Sequence, residues 1–123
     1  MRKLHQLASA CAISAIMLSG NVLAQIAASP QKVETGKDIA FDRTKGNCLA
    51  CHDMPTVPDA ESAGLYGPPL IAMSARYPDK AKLRAQIWDA TALIPSSSMI
   101  PFGKHGVLTE EEIDKVADFV YGL

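Results

Sequence analysis

Two cysteines and a histidine form the most chemically capable group in this sequence, Cys48-x-x-Cys51-His52 in the stretch GNCLACH. Residues of these types at this spacing can form a structural zinc site, a thiol redox pair or the attachment site of a covalent haem. In a haem site, both thiols bond to one haem and the histidine that follows binds its iron. Structural zinc needs four ligands, and the remaining candidate, His105, stands far along the chain. A thioredoxin-like pair expects a strand–helix–strand pattern, and no strand-like alternation surrounds Cys48. The pattern therefore favours one haem c.

A haem iron held by His52 needs a second axial ligand or an open coordination site. The candidates are Met54, Met73, Met99 and His105. Met54 follows the histidine too closely to reach the other face, and Met73 has the context of a core methionine. Met99 lies between Pro95 and Pro101, which disfavour helix and predict a stiff loop. We therefore predict His52 and Met99 as iron ligands, with an ordinary loop methionine as the alternative for Met99. With two protein ligands, the iron has no open coordination position, so it can transfer electrons but cannot bind substrate.

The N-terminus has the layout of a secretory signal. Arg2 and Lys3 precede an uncharged apolar run, residues 7–20, and small residues end at Ala24. This pattern predicts a signal peptide over residues 1–24, cleaved on export, and a cytochrome domain over residues 25–123. A retained anchor or a buried helix is the alternative. We expect a periplasmic protein with no membrane span after cleavage.

The net charge and the number of cysteines argue against two classes of protein. Two of the 12 basic residues leave with the signal and all 13 acidic residues stay, so the exported chain is acidic and predicts no nucleic-acid binding. Only Cys48 and Cys51 remain, which does not suit a disulfide-rich domain.

Helical signals dominate the rest of the chain and predict an all-α fold. Thr35 with Asp38 forms a capping box for a first helix that is expected to end near Gly46. A middle helix is predicted from Asp79 through Ala90, with an apolar face. Residues 53–78 are rich in proline and are expected to be mostly loop.

The last helix has the strongest pattern. Thr109 and Glu112 form a capping box, and apolar residues then recur at helical spacing from Ile113 to Tyr121. We expect this helix to cross the first one near Gly36 and Ala40, where small residues permit close approach.

These pieces resemble a class I cytochrome c. The segments FDRTKGNCLACH, YGPPL, LRAQIWDA and MIPFGKHGVLTEEEIDKVADFVYGL further resemble the SoxX family, over nearly all of residues 25–123. The resemblance implies that Cys48 and Cys51 attach haem c, that His52 and Met99 bind the iron, and that the carbonyl of Pro68 accepts the Nδ1 hydrogen of His52. In one departure, Ile100 stands where the family usually has proline after the methionine.

By the same resemblance, the chain is the monohaem subunit of a periplasmic SoxAX-type complex. That complex attaches thiosulfate oxidatively to a cysteine of a SoxYZ-like carrier protein, as an L-cysteine S-thiosulfotransferase. A SoxA-like dihaem or monohaem partner is implied to hold the catalytic haem. The SoxX-type subunit is implied to accept the electrons and to pass them to a soluble cytochrome c, without being catalytic on its own.

Two other functions compete with this interpretation. One is a free-standing periplasmic electron carrier, and the other is a peroxidase or oxygen-binding haem protein, which needs an open iron site. We also hypothesise that an apolar rim beside the motif docks the partner. The rim consists of Met54, Pro55, Val57 and Pro58.

Overall fold

Four α-helices and two short 3₁₀ turns organise residues 33–123, the part of the chain that the computed structural model describes. The helices are α1 (Gly36–Phe41), α2 (Met73–Arg76), α3 (Lys80–Trp88) and α4 (Glu110–Tyr121), and the 3₁₀ turns are Cys48–Ala50 and Ala90–Ala92. Residues 33–123 contain no strand, in agreement with the predicted all-α fold. The predicted signal peptide lies outside the described residues.

Helix α1 begins at the predicted capping box but ends earlier than expected. The Thr35 hydroxyl accepts a hydrogen bond from the amide of Asp38, and the Asp38 carboxylate accepts one from the amide of Thr35. The predicted end near Gly46 is wrong, since α1 stops at Phe41. The reason is local: the Asp42 carboxylate accepts a bond from the Thr44 amide at 2.7 Å and starts a turn that competes with the helix.

Helix α4 supplies much of the core and packs against α1. Its predicted capping box is present, and its apolar stripe is buried, comprising Ile113, Val116, Ala117 and Val120. A Cβ at Gly36 would lie 1.9 Å from the carbonyl oxygen of Lys115. The backbones of the two helices therefore approach so closely that only glycine fits, as the predicted crossing requires.

Helix α3 packs against α4 through the face predicted for it. The Asp79 side chain caps the helix by accepting a bond from the Ala81 amide at 2.9 Å, and Leu83 and Ile87 are buried. The helix ends at Trp88, and Ala90 is buried in the 3₁₀ turn that follows. The prediction that α3 continues through Ala90 is therefore too long by two residues.

Residues 53–78 are mostly loop, as predicted, with α2 as the exception near their end. Met73, the first residue of α2, is 2% exposed and has the core position that its sequence context indicated. Within residues 33–123, none of the helices combines the length and the apolar character needed to cross a bilayer.

Candidate functional site

A single tight turn brings Cys48, Cys51 and His52 together. Asn47 adopts a left-handed conformation, with φ of 45°, and redirects the chain into the turn Cys48–Ala50. The Cys48 carbonyl oxygen then accepts hydrogen bonds from the amides of Cys51 at 3.2 Å and His52 at 2.9 Å. Both cysteines are thiols, Cys48 partly buried and Cys51 exposed. The turn presents two thiols and an imidazole within one short stretch of backbone.

The electrostatics of Cys48 do not suit a thiol redox pair. Burial raises the pKa of the Cys48 thiol to about 11. Reactive Cys-x-x-Cys pairs have a nucleophilic cysteine whose pKa is lowered instead, because the thiolate is the attacking species. The environment of Cys48 therefore favours a structural or attachment role.

His52 is oriented by the loop that carries YGPPL. Its Nδ1 lies 2.7 Å from the carbonyl oxygen of Pro68, which can only accept, so Nδ1 carries the proton and donates. The amide of Gly67 donates to the Cys51 carbonyl at 2.7 Å and holds the loop against the turn. This arrangement leaves Nε2 as the nitrogen with a free lone pair, the state in which histidine binds a metal.

Gly67 lies directly against the imidazole. A Cβ at this position would be 2.4 Å from Cε1 of His52 and 2.7 Å from its Nδ1. The absence of a side chain at Gly67 is therefore what allows the loop to approach the ring.

Met99 lies on a loop between α3 and α4, residues 90–103, which we call the Met99 loop. Its side chain is half-buried and packs against the hydrophobic core. The Tyr66 hydroxyl donates to Oγ of Ser98 at 3.0 Å. This contact joins the neighbour of Met99 to the segment that orients His52, although the two residues are far apart in sequence.

The residues present fit a covalently held haem. The motif offers two thiols, an imidazole with Nε2 available, and a thioether on a loop that contacts the YGPPL segment. Large apolar side chains are exposed on these same two loops, which suits an apolar macrocycle. They are Leu65, Tyr66, Ile71, Leu93, Ile94 and Ile100. Within the described residues, no three His, Cys, Asp or Glu side chains gather as a metal-binding group, whereas structural zinc is held by four Cys or His ligands.

The hypothesised docking rim is wrong for Met54, whereas its members Pro55 and Pro58 are exposed, and docking of a partner there stays a prediction. Met54 is only 1% exposed and belongs to the core. Val57 is partly buried and also packs against the core. The chain turns between Met54 and Val57, where the Val57 amide donates to the Met54 carbonyl at 2.9 Å. Met54 points inward, and Val57 stays partly exposed. His105 is exposed in a turn beside Gly106, a glycine with φ of 65°.

Sequence reasoning missed Asp89 and Lys104, which meet at the base of the Met99 loop. The Asp89 carboxylate accepts a bond from Nζ of Lys104 at 2.8 Å, and this ammonium group holds the pKa of Asp89 at about 2. The available signal was a capping aspartate just after the apolar face of α3, but nothing local names its partner. Trp88 is half-buried, and its Nε1 donates to the Glu110 carboxylate at 2.8 Å.

The helical fold and this site define a class I cytochrome c-like protein. The chain is similar to a chain in the crystal structure of SoxXA from P. pantotrophus, with a TM-score of 0.64 and 26% sequence identity over 76% of this chain and 82% of that chain. The resemblance to the SoxX family and the predicted fold class are thus confirmed by structure.

Part of the chain is also similar to a protein of undescribed activity. The chain is 34% identical over 77 residues to an uncharacterized lipoprotein of Aquifex aeolicus (strain VF5), a match that covers 63% of this chain. The matched part spans only 36% of that relative's length. No family model matches the chain.

Proposed function

We propose that this protein is the haem c electron-transfer subunit of a periplasmic SoxAX-type complex. The observation that carries the proposal is the turn from Cys48 to His52, which presents two thiols and an imidazole held by Pro68 at 2.7 Å. The similarity to a SoxXA structure supports the sulfur-oxidising assignment.

Each site residue has a distinct role in this proposal. Cys48 and Cys51 form the thioethers that prevent loss of the haem, and His52 and Met99 bind the iron. Pro68 keeps the proton on Nδ1 of His52, which fixes the ring orientation and makes the imidazole a stronger donor. When bound, haem c supplies a one-electron couple, and a thioether ligand favours its ferrous form.

The chain alone is not the catalyst in this proposal. A SoxA-like dihaem or monohaem partner carries out the reaction, in which a carrier cysteine and thiosulfate form an S-thiosulfonate and release two electrons. The carrier is SoxYZ-like, and the present chain relays the electrons to a soluble cytochrome c. Export by a signal peptide over residues 1–24, with the mature protein in the periplasm, completes the proposal.

The first experiment measures the cofactor and its ligands. The exported protein should carry the mass of one haem that acid–acetone does not extract, and its ferric form should show the weak near-infrared band of sulfur-to-iron ligation. Met99→Leu should abolish this band. Met73→Leu, a matched change at a core methionine, should keep it. Haem extracted by acid–acetone, or a band that survives Met99→Leu, would contradict the proposed site.

A second experiment separates the complex subunit from its alternatives. Purification of the tagged protein from its own cells should yield a stable heterodimer with additional haem. Recovery of an isolated monomer would favour a free-standing electron carrier. Rapid carbon monoxide binding by the reduced protein would indicate an open iron site and a peroxidase or oxygen-binding function instead.

A further inference from the structure

A buried carboxylate closes the base of the Met99 loop. Asp89 is 6% exposed, and its two oxygens have different partners. Oδ2 accepts the bond from Nζ of Lys104 at 2.8 Å. Oδ1 accepts bonds from the amide of Thr91 at 3.0 Å and from the Thr91 hydroxyl. Both oxygens of the carboxylate are therefore engaged, one toward each end of the loop.

Asp89 and Lys104 flank the loop on its two sides. The Trp88 carbonyl oxygen, next to Asp89, accepts bonds from the amides of Gly103 at 3.1 Å and Lys104 at 3.3 Å. A Cβ at Gly103 would lie 2.0 Å from Cδ1 of Trp88, so the backbone packs closely on the indole. The side-chain pair and the two backbone bonds together join the start of the loop to its end.

The interior of the loop is organised by short-range bonds. The Ile94 amide donates to the Ala90 carbonyl at 3.1 Å, the Ser97 amide to the Ile94 carbonyl at 2.8 Å, and the Met99 amide to Oγ of Ser97 at 3.2 Å. These bonds move with the loop, whereas the Tyr66–Ser98 hydrogen bond and the packing of Met99 and Phe102 on the core hold it against the rest of the protein. When those contacts break, a wide opening of the loop also requires its two ends to separate at the base.

The chemistry of the pair makes that separation costly. A charge-assisted hydrogen bond is stronger than a neutral one, and a buried carboxylate that loses its cation is left uncompensated. Lys104 is half-exposed, so its ammonium group can return to water when the loop opens, whereas Asp89 stays buried at the end of α3.

We propose that Asp89 and Lys104 are positioning residues that keep the Met99 loop closed and so limit how often Met99 leaves the haem iron. The inference rests on the proposed function, because it takes Met99 as the iron ligand. In this proposal neither residue contacts the haem iron, and both act by holding the loop.

The first test measures the replacement of Met99 by an external ligand. Imidazole is added to the ferric holoprotein, and the loss of the near-infrared sulfur-to-iron band is followed in time. Asp89→Asn and Lys104→Met should each accelerate capture roughly tenfold, the scale set by one charge-assisted hydrogen bond. The double variant should be no faster than the faster single variant, because both changes remove the same interaction.

The matched control is the Lys80–Asp118 ion pair, which joins α3 to α4 and is exposed on both sides. Lys80→Met removes a lysine from an ion pair without touching the Met99 loop and should leave the imidazole rate unchanged. Equal acceleration in Lys80→Met and Lys104→Met would attribute the effect to general destabilisation and overturn the inference.

Amide hydrogen exchange of the same holoproteins separates failure of the inference from failure of the proposed function. In Asp89→Asn, the amides of Gly103 and Lys104 should exchange faster while that of Val116 in α4 stays protected. Unchanged exchange at the loop base would overturn the inference even if Met99 is the ligand. Faster exchange at the base, in a protein without the sulfur-to-iron band, would support closure by the pair and refute the ligand role of Met99.

Discussion

Replacement of Gly67 by alanine inserts a methyl group against the imidazole of His52. The new Cβ would lie 2.4 Å from Cε1 of the ring, and an ordinary carbon–carbon contact is about 3.5 Å. The ring and the loop must therefore separate by roughly 1 Å. The Pro68 carbonyl belongs to the same loop and lies 2.7 Å from Nδ1, so this separation takes the pair beyond about 3.2 Å, the usual limit of a good hydrogen bond.

The expected cost has two parts. Overpacking of a close contact costs typically about 1–3 kcal/mol, and the lost hydrogen bond adds about 1 kcal/mol. Gly67→Ala should therefore lower the free energy of unfolding by about 2–4 kcal/mol.

Urea unfolding of the holoprotein measures the stability, and proton NMR follows the Nδ1 hydrogen of His52, which should exchange with water about fivefold faster in the variant. Gly122→Ala is the matched control, because its Cβ would lie no closer than 3.4 Å to any neighbour and should change stability by less than about 0.5 kcal/mol. If Gly67→Ala matches this control in stability and keeps the protected Nδ1 hydrogen, the loop does not orient His52 as described.

Two further predictions concern α4. Gly36→Ala places a Cβ 1.9 Å from the Lys115 carbonyl oxygen and should cost at least about 2 kcal/mol in urea unfolding; a neutral effect would show that α1 and α4 do not cross there. For Glu112, the hydrogen bond from Lys45 lowers the pKa of the carboxyl from 4.5 to about 2. Because the folded pKa is the lower one, this carboxylate contributes stability above about pH 4.5 that is lost as the pH falls toward 2. Glu112→Gln should therefore flatten the stability profile between pH 5 and pH 2 and leave the slope above pH 5 unchanged; an unaltered acid slope would contradict the assigned pairing.

Much of the fold was predictable because its signals are local. The capping boxes at Thr35 and Thr109 use residues three positions apart, and the stripe of α4 depends only on helical period. The end of α1 was not predictable, although its cause is also local. The Asp42 turn and Gly46 are both signals that end a helix, and the sequence offers no measure of which of the two prevails.

The sequence by itself determined the Cys48–His52 motif and the helical periods, since each depends on residues a few positions apart. The contact between Pro68 and His52 was implied by the family resemblance, whereas tertiary structure alone decided that Met54 is buried and that Asp89 pairs with Lys104 at the base of the Met99 loop. The physical reason is that these contacts depend on how loops of many residues close upon the helices. Loop closure is governed by packing of the whole chain, which no short stretch of sequence encodes.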